Sequence, residues 1–270
     1  MKISYSAIWD DTVRMLRANA SLLAAVAGVF LLLPSLVLGF LAPAPTGAGS
    51  PVTPQMIADY YNRNWPWIVI VGMLTFVGTL TVLVLALDES RPTVGGAIRE
   101  AARRLWRYFL VSVLSAFMLM AAFLPAIFLV GASQTAGPNP GALLIAGALM
   151  IPGAYLAARL ALTGPVIVAE PPIGPVATIK RSFSLSKGAG WKILGLILIV
   201  CVVFVIVNLA ATLVLGSLFL LIERLGADGV GVFLLALLQA VISAAFNVIL
   251  VVLLASLYRR LAGAPSTSGI

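Results

Sequence analysis

The chain has 270 residues, of which 61% are hydrophobic and 10% charged, and its formal net charge is +8. Mean hydropathy is +1.12, whereas an ordinary soluble domain is roughly 45–50% apolar and about 25% charged. A soluble globule is excluded, and so is a disordered chain, which requires low hydrophobicity.

In chain order, the sequence opens with SAIWDDTVRMLRANASLL, where Ile8, Trp9, Val13 and Leu16 fall at near-helical spacing. A first apolar run covers residues 20–41, enough to cross roughly 30 Å of hydrocarbon at 1.5 Å per residue. It is too long for the usual h-region of a signal peptide, and Pro43 and Pro45 disfavour cleavage after Ala42 or Ala44. We therefore expect an uncleaved first helix. Residues 42–64 are rich in Pro, Gly and Ser and lead to Tyr60, Tyr61, Trp65 and Trp67, natural interfacial anchors. A second span is expected at 65–87. A basic amphipathic stretch, TVGGAIREAARRLWRYFLV, precedes a third span at 108–131, and the uncharged turn SQTAGPNPG separates this from a fourth at 141–162. Another basic stretch, PVATIKRSFSLSKGAGWKIL, precedes the fifth span at 191–222. That run exceeds one perpendicular crossing, and tilt or extension past the membrane surface absorbs the excess. A sixth span follows at 230–257. The expected fold is all-α and integral to a membrane: one six-helix domain over 1–262 with short amphipathic interfacial helices, then a flexible tail, 263–270.

Charge supports this count independently. With six crossings, Lys2, Arg14, Arg17, Arg91, Arg99, Arg103, Arg104, Arg107, Arg159, Lys180, Arg181, Lys187, Lys192, Arg259 and Arg260 fall on one side. Those are 15 of the 17 basic residues; Arg63 and Arg224 fall on the other. The positive-inside rule then places both termini in the cytoplasm of a bacterial-type inner membrane. The same distribution argues against a nucleic-acid partner, because the charge lies beside hydrophobic segments rather than on one soluble face.

The three basic segments place Ala7-Ile8, Ala97-Ile98 and Thr178-Ile179 at comparable positions, 90 and 81 residues apart. A weak threefold repeat is one reading, and the alternation common to any six-helix protein is the other. Such segments are expected to lie in the headgroup plane with Arg and Lys turned to phosphate. Arg99, Arg103, Arg104, Lys180, Arg181 and Lys187 are candidate contacts for anionic headgroups, and topology anchoring explains the same charges.

Ionisable residues within spans are functional suspects. Arg159 stands near the end of the fourth span, and Glu170 is placed to pair either with it or with Lys180 and Arg181. Asn208, Gln239 and Asn247 in the last two spans are candidates for interhelical hydrogen bonds or a polar route. Pro34, Pro125 and Pro152 are expected to kink their helices. The chain has no histidine and one cysteine, Cys201, in an apolar run. His-based catalysis, HExxH zinc sites and intrachain disulfides are thereby excluded. Gly95-Gly96 and Gly188-Ala189-Gly190 lack Walker spacing and read as joints. No cofactor or metal is expected.

The stretch RLALTGPVIVAEPPIGPVATIKRSFSLSKGAGWKIL, residues 159–194, resembles the membrane domain of the glycerophosphoryl diester phosphodiesterase family and related six-helix inner-membrane proteins. The likeness rests on Arg159, Pro165, Glu170, Ala177 to Leu185, Lys187-Gly188 and Trp191. It implies a stand-alone membrane module, because the family's hydrolytic barrel needs histidines that this chain lacks, and no catalytic position carries over. The expectation is therefore a non-catalytic module that associates with or organises lipids or envelope proteins, with anionic lipids, a membrane-protein partner or a second copy as partners. A small-solute or lipid transporter is the alternative.

Overall fold

Thr12, on the apolar face of the first segment, is buried with Ile8, and the two anchor α1, Tyr5–Ala18, inside the assembly. The computed structural model describes residues 4–42, 53–88, 93–135, 139–225 and 229–263. Lys2, Pro43, Pro45, Arg91, Asp228 and the expected tail beyond Gly263 lie outside the described residues. Six long helices follow α1, with two short ones among them: α2, Ala20–Leu41; α3, Pro54–Leu87; α4, Val94–Thr135; α5, Pro140–Leu160; α6, Thr163–Ala169; α7, Pro175–Leu185; α8, Gly190–Arg224; and finally α9, Val230–Leu261. Among the described residues six segments are long and apolar enough to cross a membrane, and each span expected from the sequence lies within one of them.

Two of the long helices carry π segments, and the first has an identifiable cause. Proline at position 34 has no N–H and crowds the carbonyl four residues back. The turn before it widens into a π segment, Gly28–Leu32, in which the Leu33 N–H reaches the Gly28 carbonyl. The Ser35 hydroxyl then donates to the Leu31 carbonyl at 2.6 Å. A second π segment, Thr212–Gly216, interrupts α8 without a proline. Helix α3 opens on the Thr53 cap, whose hydroxyl accepts from the Met56 N–H at 3.3 Å, and carries Pro66 inside. From Trp67 to Leu87 it rises about 30 Å, the length of one hydrocarbon crossing. At its other end the Tyr60 hydroxyl donates to the Ala42 carbonyl at the end of α2, 3.1 Å away.

One expectation is corrected here. The basic stretch at 94–107 is not a separate interfacial helix: it continues the third span without a break, and α4 runs for 42 residues, about 63 Å. Gly95 and Gly96 fall in its first turn, and from Ala97 to Pro125 nothing interrupts the helix. The salt bridge of Arg104 to Glu100 one turn earlier, at 2.7 Å, supports the continuous form. This segment therefore stands along the span axis rather than flat. Segments α1 and α7 are separate helices. Gly188, with φ of +77°, forms the joint between α7 and α8.

All three basic segments bury small or apolar residues one turn apart: Ile8 and Thr12, Ala97 and Ala101, Thr178 and Ser182. The α1 segment packs on α9, the α4 segment on α3, and α7 on α4, α5 and α6. The first segment thus closes on the last helix.

Burial is concentrated at the end of the bundle that carries these segments. Leu80 to Ala86 of α3 and Val248 to Tyr258 of α9 form its centre, and α9 touches α1, α2, α3, α6 and α8. Of the most apolar stretch of α9, 50% is buried, against 6% for α4. Phe117, Phe128, Leu144, Val205 and Leu213 are more than half exposed. So much contiguous hydrocarbon on a helix bundle requires an apolar surround, as expected of a multi-pass membrane protein.

Candidate functional site

The basic end of the bundle gathers most of the charged side chains, and it is built chiefly by arginines that terminate helices. The last carbonyls of a helix have no partner within it and carry its negative dipole end. The Arg104 Nη1 donates to the carbonyls of Ile167, at 2.8 Å, and Val168, closing α6. The Arg159 Nη2 donates to the Phe183 carbonyl at 2.6 Å and its Nε to the Ser186 hydroxyl at 3.1 Å, closing α7. Its guanidinium also lies over the Phe183 ring, 4.5 Å from the centroid. In return the Ser182 hydroxyl donates to the Arg159 carbonyl at 2.6 Å. The Arg259 Nη2 donates to the carbonyls of Ala86 and Leu87, at 3.0 and 3.2 Å, closing α3. Finally Arg260 holds α1: it donates to the Ala7 carbonyl at 3.0 Å and pairs through Nε with the Asp11 carboxylate at 2.7 Å.

Glu170, the residue after α6, pairs with Arg181 at 2.8 Å and accepts from the Tyr258 hydroxyl at 3.1 Å. Of the partners open to it on sequence grounds, Arg181 is the one it meets, and Arg159 turns to α7 instead. The hydrogen bond and charge of Glu170 hold the Arg181 guanidinium above its ordinary pKa.

The six cations expected to face headgroups therefore separate by surroundings. Arg104 is largely covered and bound to main-chain carbonyls, and Arg181 is half-exposed and paired. Arg103 is 70% exposed, with Glu100 3.5 Å away. Arg99, Lys180 and Lys187 are exposed, and their side chains have no ion pair or hydrogen bond among the described residues. Arg99 and Arg103 project from α4, while Lys180 and Lys187 belong to α7 and the turn after it, and α4 and α7 pack together.

No family model matches the chain, no curated protein matches it, and no solved structure matches its fold.

The polar residues within the spans form no common site. The Asn208 amide donates to the Gln239 carbonyl oxygen at 2.8 Å, and the Gln239 amide donates to the Thr212 hydroxyl at 2.7 Å. This chain of bonds ties α8 to α9 where α8 widens into its π segment. Asn247 lies two turns further along α9, and its Oδ1 is buried without a hydrogen-bond partner among the described residues. Arg159 and Glu170 belong to the basic end. Replacing Gln239 with Leu removes both bonds of the α8–α9 link. The expected result is a loss of about 1 kcal/mol, read as a lowered unfolding midpoint in detergent, with Asn208→Leu giving a smaller loss because it removes only one bond.

Among the described residues no group of three His, Cys, Asp or Glu side chains is placed to hold a metal ion. Cys201 is a free, partly buried thiol. Sequence reasoning assigned Arg259 and Arg260 only a topological role and passed over Thr12, Ser256 and Tyr258. The visible signals were hydroxyls in otherwise apolar faces: the Thr12 and Ser256 hydroxyls lie 2.9 Å apart, both buried, between α1 and α9.

Proposed function

We propose that this chain is a non-catalytic membrane module of a bacterial-type inner membrane, with both termini cytoplasmic. Its basic end associates with anionic lipid headgroups and so organises lipids or envelope proteins around it. The observation that carries this reading is the division among the cations. Arg104, Arg159, Arg259 and Arg260 hold helix ends inside the protein. Arg99, Lys180 and Lys187, with the loosely paired Arg103, remain outward on the adjoining α4 and α7. Charge that only had to orient the chain during insertion had no need of such a face. Each cation near an anionic surface contributes about 1 kcal/mol.

The tryptophans agree with this placement. All five are exposed: Trp9, Trp106 and Trp191 at the basic end, Trp65 and Trp67 towards the other. Indole rings at both ends of an apolar band are the pattern of a membrane protein's two interfaces. The family resemblance of residues 159–194 points the same way, to a stand-alone module without a hydrolytic barrel. A transporter is supported less well, because Asn208, Gln239 and Thr212 bond to one another as a helix clasp.

The test is lipid co-purification of the full chain from vesicles of equal phosphatidylglycerol and phosphatidylcholine. Combined Arg99→Ala, Arg103→Ala, Lys180→Ala and Lys187→Ala is expected to lower retained phosphatidylglycerol by tenfold or more, about 1 kcal/mol per charge being only partly additive. An unchanged lipid complement sinks the proposal.

A further inference from the structure

Between α1, α8 and α9 runs a groove of about 640 Å³. Its walls are Leu196, Ile199 and Val203 of α8 and Val241, Ala245 and Ile249 of α9. The rings of Phe204 and Phe246, stacked with centroids 4.1 Å apart, also line it. Its basic-end mouth is formed by Tyr5, Ser6 and Trp9 of α1. We propose that this groove holds one acyl chain of an anionic phospholipid, whose phosphate sits among Tyr5, Ser6 and Lys192. The inference rests on the membrane reading but not on the outward face of Arg99, Arg103, Lys180 and Lys187.

Length decides what the groove can hold. On α8 its lining extends from Leu196 to Val207, about 16 Å at 1.5 Å per residue. That is half the roughly 30 Å of a bilayer's hydrocarbon. The groove therefore begins at the interface and stops near the midplane, the depth of a single leaflet. A transmembrane helix of a partner would need a seat along the whole thickness, whereas the tail of a lipid in one leaflet needs only this much.

The mouth has the chemistry of a headgroup site. Lys192 precedes Leu196, Ile199 and Val203 on one stripe of α8, at helical spacings of four, three and four. It is exposed and has no ion pair or hydrogen bond among the described residues. The Tyr5 hydroxyl reaches over the same helix at Gly195, where a Cβ would lie 3.3 Å from it. Ser6 adds a second hydroxyl, 2.9 Å from that of Ser4. Two hydroxyls at the mouth, with an exposed lysine one turn before Leu196 on the same stripe of α8, suit a phosphate diester. The unbalanced charge favours a lipid of net negative charge over a zwitterionic one, whose own amine already balances its phosphate. Trp9, 46% exposed at the mouth, presents an indole at headgroup level.

The experiment is native mass spectrometry of the full chain, released from vesicles of equal phosphatidylglycerol and phosphatidylcholine. Wild type is expected to retain one phosphatidylglycerol after looser lipids dissociate. Lys192→Gln, an exposed change that leaves packing intact, is expected to lower that retention about fivefold. Ala245→Phe, which fills the groove from the α9 side, is expected to remove the retained lipid whatever its headgroup. Phosphatidylglycerol with a photoactivatable tail is expected to label residues 196–207 and 241–249 above the exposed α5 surface at Leu143 and Leu144. Even labelling of the two surfaces, or retention unchanged in both variants, overturns the proposal. A dimer lost in Ala245→Phe with no change in lipid also overturns it, and assigns the groove to a second copy. If the four-residue variant on α4 and α7 loses lipid while Lys192→Gln does not, the groove fails and the outward face stands; the reverse pattern keeps the groove and sinks the face.

Discussion

Arg159→Ala is expected to lower stability by about 3 kcal/mol, as one guanidinium loses a charged bond to main chain, a hydroxyl bond and a ring contact together. The lost partners are the Phe183 carbonyl, the Ser186 hydroxyl and the Phe183 ring. The first of these belongs to the carbonyl end of α7, and the Phe183 carbonyl then keeps the longer bond from the Ser186 hydroxyl at 3.2 Å. The effect should be local before it is global, because α7 is a short helix held to α5 by this side chain and by the Ser182 hydroxyl on the Arg159 carbonyl. Limited proteolysis within residues 175–189 should therefore accelerate at temperatures where the six long helices remain folded. Arg159→Lys keeps a charge but not the planar fork, and should recover less than half of the loss. Ser182→Ala alone should cost about 1 kcal/mol, and the double variant should fall short of the sum, since both changes release the same helix. Equal stability of Arg159→Ala and wild type would show that the guanidinium contributes nothing to the seating of α7.

Gly231→Ala is the second large effect, expected to cost about 3 kcal/mol, because a methyl group there meets main chain rather than a movable side chain. A Cβ at position 231 would overlap the Phe219 carbonyl and crowd the Glu223 side chain. That carboxylate is the cap of α9, accepting from the N–H groups of Gly229 and Gly231 at 2.8 and 2.9 Å and, more loosely, of Val232 at 3.4 Å. One methyl group thus forces apart α8 and α9 and removes the acceptor that satisfies the start of α9. Gly229→Ala provides the graded comparison: its φ of +81° favours glycine, yet nothing lies within 4 Å of its Cβ position. That variant should lose only the about 1–2 kcal/mol of a left-handed backbone position. Unfolding midpoints in detergent that order as wild type, Gly229→Ala, Gly231→Ala would bear this out, and a Gly231→Ala midpoint at or above that of Gly229→Ala would refute it.

The apolar runs made the six long helices legible, because each must supply about 20 hydrophobic residues in succession. Their true ends were less legible. Polar residues such as Arg99 and Arg103 interrupt hydropathy without interrupting the helix, so α4 begins 14 residues before the expected span at 108. The π segment at Gly28–Leu32 has a visible cause in Pro34, whereas that at Thr212–Gly216 has no sequence mark at all. The candidate site was legible in composition and not in partnership. Arg99 and Arg104 read alike in the sequence, yet one faces outward and the other binds the carbonyls of Ile167 and Val168. Every peptide unit offers such an acceptor, so no residue type announces the partner. Lys192 was counted as one more basic charge, and only the placement of Tyr5 and Ser6 beside its helix gives it a setting.

The position of α9 also has a meaning in time. The segment from Leu253 to Arg260 is the last part of the bundle to be made, and it holds the earliest parts in place. Ser256 meets Thr12, 244 residues earlier, and Arg260 meets Ala7, 253 residues earlier. Arg259 closes α3 across 173 residues to Ala86. At 5–20 residues per second, α1 waits on the order of 10 to 50 s for its partners after leaving the ribosome. During that interval Asp11 and the buried face of Ile8 and Thr12 have no α9 to receive them. The nascent chain thus passes through a period in which the face of α1 that α9 covers is left without that cover, and synthesis of α9 brings the period to an end.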